Sequence, residues 1–211
     1  MYSFLSRLLL TGKLKFKIGE ISVFNTPFAL IPMASIKYMT EDILAKNDSK
    51  ALNDLYMWGW VYGYTVTKEL IKLFNLKKFE ERYKISMDTA SLVGFGDYQT
   101  LSFKRADHAR FKVIGNPFAK QFYKSDQFVC HYLRGMEAGG GTLVHEISID
   151  NLEFECAARN NLFCLHQNLS QENIDKLDKK FVNKQLDRNY LRKRKIEFLE
   201  SIGDDPSKFD I

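Results

Sequence analysis

Three cysteines, with a few carboxyl and imidazole groups near them, are the residues of this 211-residue chain best placed to do chemistry. Cys156 and Cys164 have seven residues between them in "EFECAARNNLFC", and Cys130 lies upstream in "VCHYLRGMEAG". A secreted disulfide framework normally uses an even number of cysteines. An odd count suits a reducing compartment, where thiols either bind metal or stay buried as small apolar groups. If Cys156 and Cys164 end the two strands of a hairpin, both thiolates can meet one ion at roughly 2.3 Å. Cys130 would open a helix, whose partly positive N-terminus favours a thiolate. Tetrahedral zinc needs a fourth ligand, and Glu153, Glu155, His131 and His166 are the neighbours able to provide one. Three thiolates and a carboxylate outweigh the charge of Zn²⁺ and leave it no open position. Such a centre is a poor Lewis acid, and its role is structural.

The elements that must position these residues can be read from pattern. "KLKFKIGEISVFNTPFALIP" alternates and ends in proline-marked turns, which predicts one or two early strands with Gly19 at a turn. "MASIKYMTEDILAKN" reads as a helix. The next helix, "DLYMWGWVYGYTVTKELIKLF", is apolar on nearly all sides and therefore central, with Asn53 or Asp54 as its cap. Its Gly59 and Gly63 share one face and invite close approach by another helix or a ligand. Residues 79–115 read as strand-rich, with turns near "GFGD" and "RADHA". "NPFAKQFY" reads as a short helix capped by Asn116 with Pro117 at its first position. "VCHYLRGMEAGGGTLV" should be helical through Ala138 and stop at the triple glycine. "HEISIDNLEFEC" and "FCLHQNL" read as strands joined by "ARNN". Residues from Ser170, a helix cap, onward form one or two amphipathic helices. Mixed blocks without regular alternation predict an α+β fold with a mainly antiparallel sheet packed against helices.

The block "NPFAKQFYKSDQFVCHYLRGMEAG", followed by "EFECAARNNLFC", resembles the 4-vinyl-reductase domain family. That family's pattern has a Cys-His opening a helix with G-x-x-x-G, then Glu-x-x-Cys, then a Cys eight positions on. Here these are Cys130-His131, Gly135 and Gly139, Glu153 with Cys156, and Cys164. The clear match covers about residues 85–169. The family takes in hydrocarbon-binding proteins and the sensor domains of regulators that respond to phenols and xylenes. It is similar in fold to vesicle-tethering subunits, the nitric-oxide-signalling/Golgi-transport ligand-binding fold. The resemblance implies a ligand-binding domain over residues 1–169 and a C-terminal helical extension over 170–211. It also implies zinc held by Cys130, Glu153, Cys156 and Cys164, an apolar or aromatic small molecule as ligand, and a homodimer. In a regular strand Glu153 and Cys156 point to opposite faces, so a bulge or twist must intervene for both to reach one metal; Glu155, equally out of phase with Cys156, is the substitute. Trp58, Phe103, His108, Phe111 and Tyr132 are the expected ligand contacts. The alternatives are a vinyl reductase acting on tetrapyrroles, for which no cofactor motif is visible, and a protein-interaction module.

The net charge of +5 is unevenly placed. Residues 184–195, "KQLDRNYLRKRK", are strongly basic, while the rest of the chain is about neutral. Nucleic acid is thus not expected on the core, and the basic segment 184–195 is left either as a solvated helix face or as a site for nucleic acid or an acidic partner. No run is long and apolar enough for a membrane span, and Arg7 interrupts the apolar start, so the expected home is the cytoplasm.

Overall fold

The computed structural model describes residues 12–211 except 13, 19, 24, 25, 30, 47 and 123, and only the backbone of Phe16 and Thr26. The turn expected at Gly19 lies outside the described residues. Strands β1 (Leu14–Lys17), β2 (Glu20–Val23) and β3 (Thr26–Phe28) form a small antiparallel sheet in that order. Helix α1 (Met33–Ala45) leads to the 26-residue helix α2 (Ser49–Phe74). Its cap is Asp48, whose side chain accepts from the Ala51 N–H, and not Asn53 or Asp54. Asn53 is taken instead by a tertiary contact, its Oδ1 accepting from the Asp187 N–H.

Residues 79–92 depart from expectation. They form helix α3 (Phe79–Leu92), not a strand. Phe79 and Tyr83, one turn apart, are buried in the core, while Glu80 and Glu81 lie in the first turn and suit its positive end. Aromatic and β-branched residues imitate a strand here, and tertiary packing overrides that local preference. Strands β4 (Asp97–Lys104) and β5 (His108–Ile114) follow, with the turn between them where it was expected. Asn116 caps α4 (Pro117–Lys120), accepting from the Phe118 and Ala119 N–H groups.

Helix α5 runs His131–His145, straight through the glycines expected to stop it at Ala138. The reason is its neighbour. A Cβ on Gly135 would stand 1.8 Å from the Tyr56 carbonyl oxygen, and one on Gly139 would stand 2.0 Å from that of Trp60. Gly59 and Gly63 of α2 face the Tyr132 and Met136 carbonyls just as closely. The two helices run in the same direction with their backbones in contact. Close packing offsets the roughly 1 kcal/mol helix penalty of each glycine.

Strand β6 (Ile149–Glu155), a 3₁₀ turn (Ala157–Arg159) and β7 (Cys164–Ser170) complete a four-stranded antiparallel sheet, ordered β4-β5-β7-β6. One core gathers Ala109, Phe111 and Val113 of β5 with Phe79, Tyr83, Leu133, Val144 and the three cysteines. Helices α6 (Gln171–Asp175), α7 (Lys179–Asn183) and α8 (Arg188–Ser201) wrap the far side of α2. There Leu186, Leu191 and Leu199 pack with Tyr56, Trp60 and Leu152. The basic run is part of this packing: Lys195 is buried and its Nζ lies 2.7 Å from Asp150 Oδ1. Arg188 pairs with Asp175, and Lys193 and Arg194 approach Glu197. Among the described residues, no helix is long and apolar enough to cross a membrane.

Candidate metal centre and adjoining cavity

Three elements deliver the cysteines. Cys130 is the residue before α5, Cys156 follows β6 and Cys164 opens β7. Glu153 joins them because β6 carries a bulge. Glu153 pairs with His166, but Glu155 pairs with Leu165, so Phe154 is the extra residue. That extra residue resets the side-chain alternation and turns Glu153 and Cys156 to the same side. Glu155 is half-buried and stays outside the cluster.

One donor atom from each of Cys130, Glu153, Cys156 and Cys164 lies within 4.8 Å of all the others, and all four residues are buried. Cys130 Sγ is 3.8 Å from Cys164 Sγ and 4.0 Å from Cys156 Sγ. Tetrahedral zinc with bonds of 2.3 Å would set its sulfurs about 3.8 Å apart. Asn116 Nδ2 donates to Cys130 Sγ at 3.1 Å and to Cys164 Sγ at 3.2 Å, and the Ala157 N–H donates to Cys164 Sγ at 3.3 Å. The sulfurs are thus surrounded by donors, which suits thiolates.

Electrostatics point the same way. Hydrogen bonds from Cys130 and Cys164 pull the Cys156 thiol down to about 2. Burial pushes the Cys130 thiol well up. For Cys164 the bond with Cys130 lowers the thiol, but its bond to Cys156 and burial outweigh this and leave it at about 11. Of the three sulfurs, Cys156 is the one whose contacts favour the thiolate. Burial also raises the Glu153 carboxyl, against the pull of His166. Neither Glu153 oxygen has a hydrogen-bond partner, although both are shielded from solvent. A buried carboxyl left unpaired costs several kcal/mol. A divalent cation bound by all four groups offsets that cost, and the donor set fits zinc.

The neighbouring histidines do not join the four. His131 Nε2 faces the Phe128 carbonyl at 3.0 Å and its Nδ1 meets Arg134 Nη2 at 2.8 Å. His166 Nδ1 is 2.5 Å from Glu137 Oε2, and its Nε2 is 3.4 Å from Glu153 Oε1 without hydrogen-bond geometry. Burial lowers the His166 imidazole, yet Glu137, Cys164 and Glu153 together raise it well above its ordinary value. Glu137 also accepts from the Tyr98 hydroxyl at 2.9 Å. The outer edge of β6 is closed by Gln185, whose Oε1 accepts from the Glu153 N–H and whose Nε2 donates to the Glu153 carbonyl. A side chain from the C-terminal segment thereby stands in for a fifth strand and holds the strand that carries Glu153.

A mostly apolar cavity of about 50 Å³ lies between α2, α3, α5 and the sheet. Val66 and Leu70 of α2, Met87 and Ala90 of α3, and Met136 and Val144 of α5 supply its apolar wall, with Phe95 and Tyr98 at the sheet end. None of the five expected ligand contacts lines it. Trp58 is 48% exposed on the outer face of α2, because Gly59 and Trp60 occupy the packed faces. Phe103 is 41% exposed on edge strand β4 and stacks on Tyr83. His108 sits at the β4–β5 turn, with its Nε2 3.1 Å from Ser102 Oγ. Phe111 is fully buried between Tyr98 and His166, and Tyr132 stacks on Phe118. Phe111, Phe103 and Tyr132 thus stand behind the wall, packing against residues that form it. Sequence reasoning missed Glu137 and His145 in the lining and treated Asn116 only as a cap. A carboxylate inside "MEAGGG", among small residues of a packed helix, was the available signal for Glu137.

No family model matches the chain, and no curated protein matches it in sequence. Solved structures do match. The phenol-responsive sensory domain of the transcription activator PoxR, with phenol, superposes with a TM-score of 0.72 at 15% identity, covering 89% of this chain and 98% of that one. A trafficking protein particle complex subunit 3 from Naegleria fowleri, covalently bound to palmitic acid, gives 0.47 at 10% identity over 65% of this chain and 91% of that one. A vinyl-4-reductase family protein from Methanocaldococcus jannaschii gives 0.43 at 15% identity over 67% and 82%. The chain has the mixed helix and antiparallel-sheet fold of the phenol-responsive sensory domain, in line with the α+β fold expected from its sequence.

Proposed function

We propose that this chain binds or senses a small, largely apolar molecule in the cavity between α2, α3, α5 and the sheet. We propose also that Cys130, Glu153, Cys156 and Cys164 hold a zinc ion whose role is structural. The observation that carries the reading is that α5 starts at the four-residue cluster, with Cys130 just before it, and forms a wall of the cavity along residues 136–145. A cation bound at that cluster ties β6, β7 and the beginning of α5 together, and α5 forms a wall of the cavity. The neighbouring sensory domain, solved with phenol, supports a small aromatic molecule as the ligand class. When bound, the zinc supplies crosslinking charge and no open coordination position. The chain's own residues do the rest: Asn116 and the Ala157 N–H orient sulfur, Gln185 fixes the Glu153 backbone, and the apolar wall excludes water. Native mass spectrometry of the whole chain tests both parts. One zinc per chain, together with a small molecule that exchanges with added phenol, is the expected result. A protein with intact fold, no metal and no retention of phenol or toluene would overturn it.

A further inference from the structure

Arg134 of α5 is 0% exposed. Its side-chain bonds all go to neutral groups. Nη1 donates to the Asn151 carbonyl at 3.3 Å, and Nη2 donates to the Gln185 carbonyl at 3.3 Å and to His131 Nδ1 at 2.8 Å. His131 is uncharged at neutral pH, because burial and then the charge of Arg134 itself lower its imidazole to about 3. The guanidinium carbon lies 5.6 Å from the centre of the Tyr56 ring, and Nε has no partner. A guanidinium keeps its charge inside a folded protein, and a buried charge without an opposite one is strongly destabilising.

The buried carboxyls around it narrow the choice of partner. Asp150, beside Asn151, is held by Lys195 at 2.7 Å. Glu137, nearly one turn further along α5, faces His166 at 2.5 Å. The four-residue cluster is left. Arg134 stands one turn beyond Cys130, and its backbone N–H bonds the Cys130 carbonyl at 2.8 Å. Asn151 precedes Glu153 by two positions on β6, and Gln185 brackets the Glu153 backbone. Burial raises the Glu153 carboxyl, and the charge of Arg134 acts against that, after the larger pull of His166. Around a divalent ion, three thiolates and a carboxylate carry negative charge in excess, and all four residues are buried.

We infer that Arg134 is a positioning residue for the metal centre, the buried counter-charge to the excess negative charge of Cys130, Glu153, Cys156 and Cys164 around a divalent ion. This rests on the zinc reading above and adds a residue outside the donor set. Without Arg134 that excess stays buried and unbalanced, which loosens the ligands and the segments that carry them.

Melting of the zinc-loaded whole chain tests it through a double-mutant cycle with Glu153. Arg134→Gln removes the charge and can still donate to the same carbonyls. It should melt about 5 °C or more below the parent, and Arg134→Lys, which keeps the charge, should recover part of the loss. In a Glu153→Gln background the centre carries one negative charge fewer. There Arg134→Gln should lower the melt by about half as much or less. If Arg134→Gln folds only in that background, the inference also stands. An equal drop in both backgrounds, or failure to fold in both, makes Arg134 a packing residue and overturns the inference while the zinc reading stands. A cobalt-loaded protein gives a second readout: the sulfur-to-cobalt charge-transfer band should move to longer wavelength in Arg134→Gln and return towards the parent in Arg134→Lys. A parent that holds no metal overturns the zinc reading and this inference together.

Discussion

The imidazole of His166 stands between two buried carboxyls, its Nε2 3.4 Å from Glu153 Oε1 and its Nδ1 2.5 Å from Glu137 Oε2. It links a wall of the cavity to a member of the four-residue cluster. Groups that orient a metal's ligands typically set affinity by roughly 10–100-fold. His166→Leu should therefore lose zinc faster to a competing chelator than the parent, by a factor in that range, with the four donor residues intact. Equal release rates would show that His166 is a core residue only.

Cys156→Ser removes the sulfur that the others support. Zinc content should fall well below one per chain, and the melting temperature should drop by about 10 °C or more, since breaking a buried charged cluster costs roughly 3–5 kcal/mol. Chelation of the parent should give a similar loss. A melt within a degree of the parent, with metal content unchanged, would sink the assignment.

Gly135 has no room for a methyl group, because its Cβ would lie 1.8 Å from the Tyr56 carbonyl oxygen. Gly135→Ala must push α2 and α5 apart, and should cost about 3 kcal/mol despite alanine's better helix propensity. Gly203→Ala is a poor control because of its positive φ, so an exposed helical site such as Ser201→Ala serves instead. Chemical unfolding of the three proteins reads the difference.

Lys195 is 2% exposed, and its ammonium is shared by Asp150 Oδ1 and the Ile149 carbonyl. Lys195→Ala leaves Asp150 buried without its cation and should cost roughly 3–5 kcal/mol. Arg192→Ala, in the same basic run but exposed, should change stability by less than about 0.5 kcal/mol. Equal, small effects would mean that the run is a solvated face throughout.

His145 is lowered to about 4 in the fold, against about 6.5 when unfolded. Between those values the unfolded chain binds the extra proton, so stability rises with pH. The contribution is complete above 6.5 and is lost as pH falls towards 4. From pH 7 to pH 5 the parent should lose about 2 kcal/mol more than His145→Phe, measured by urea unfolding at each pH. Parallel losses would place the ring in contact with solvent.

The sequence by itself determined the hairpin, the Asn116 and Ser170 caps, the central apolar helix and the spacing of four donor residues. These are local matters: alternation, capping chemistry and the count of residues between thiols are written along the chain. The tertiary structure alone decided that residues 79–92 are helical and that α5 continues through three glycines. Each outcome depends on a packing partner distant in sequence. It decided also which carboxylate meets the sulfurs, since a single bulge at Phe154 reverses the facing of Glu153 relative to Glu155. The cavity lining was illegible for the same reason. His145 and Glu137 face into it only because α5 lies against α2, and that approach is set by glycines distant in sequence, Gly59 against the Tyr132 carbonyl and Gly135 against the Tyr56 carbonyl.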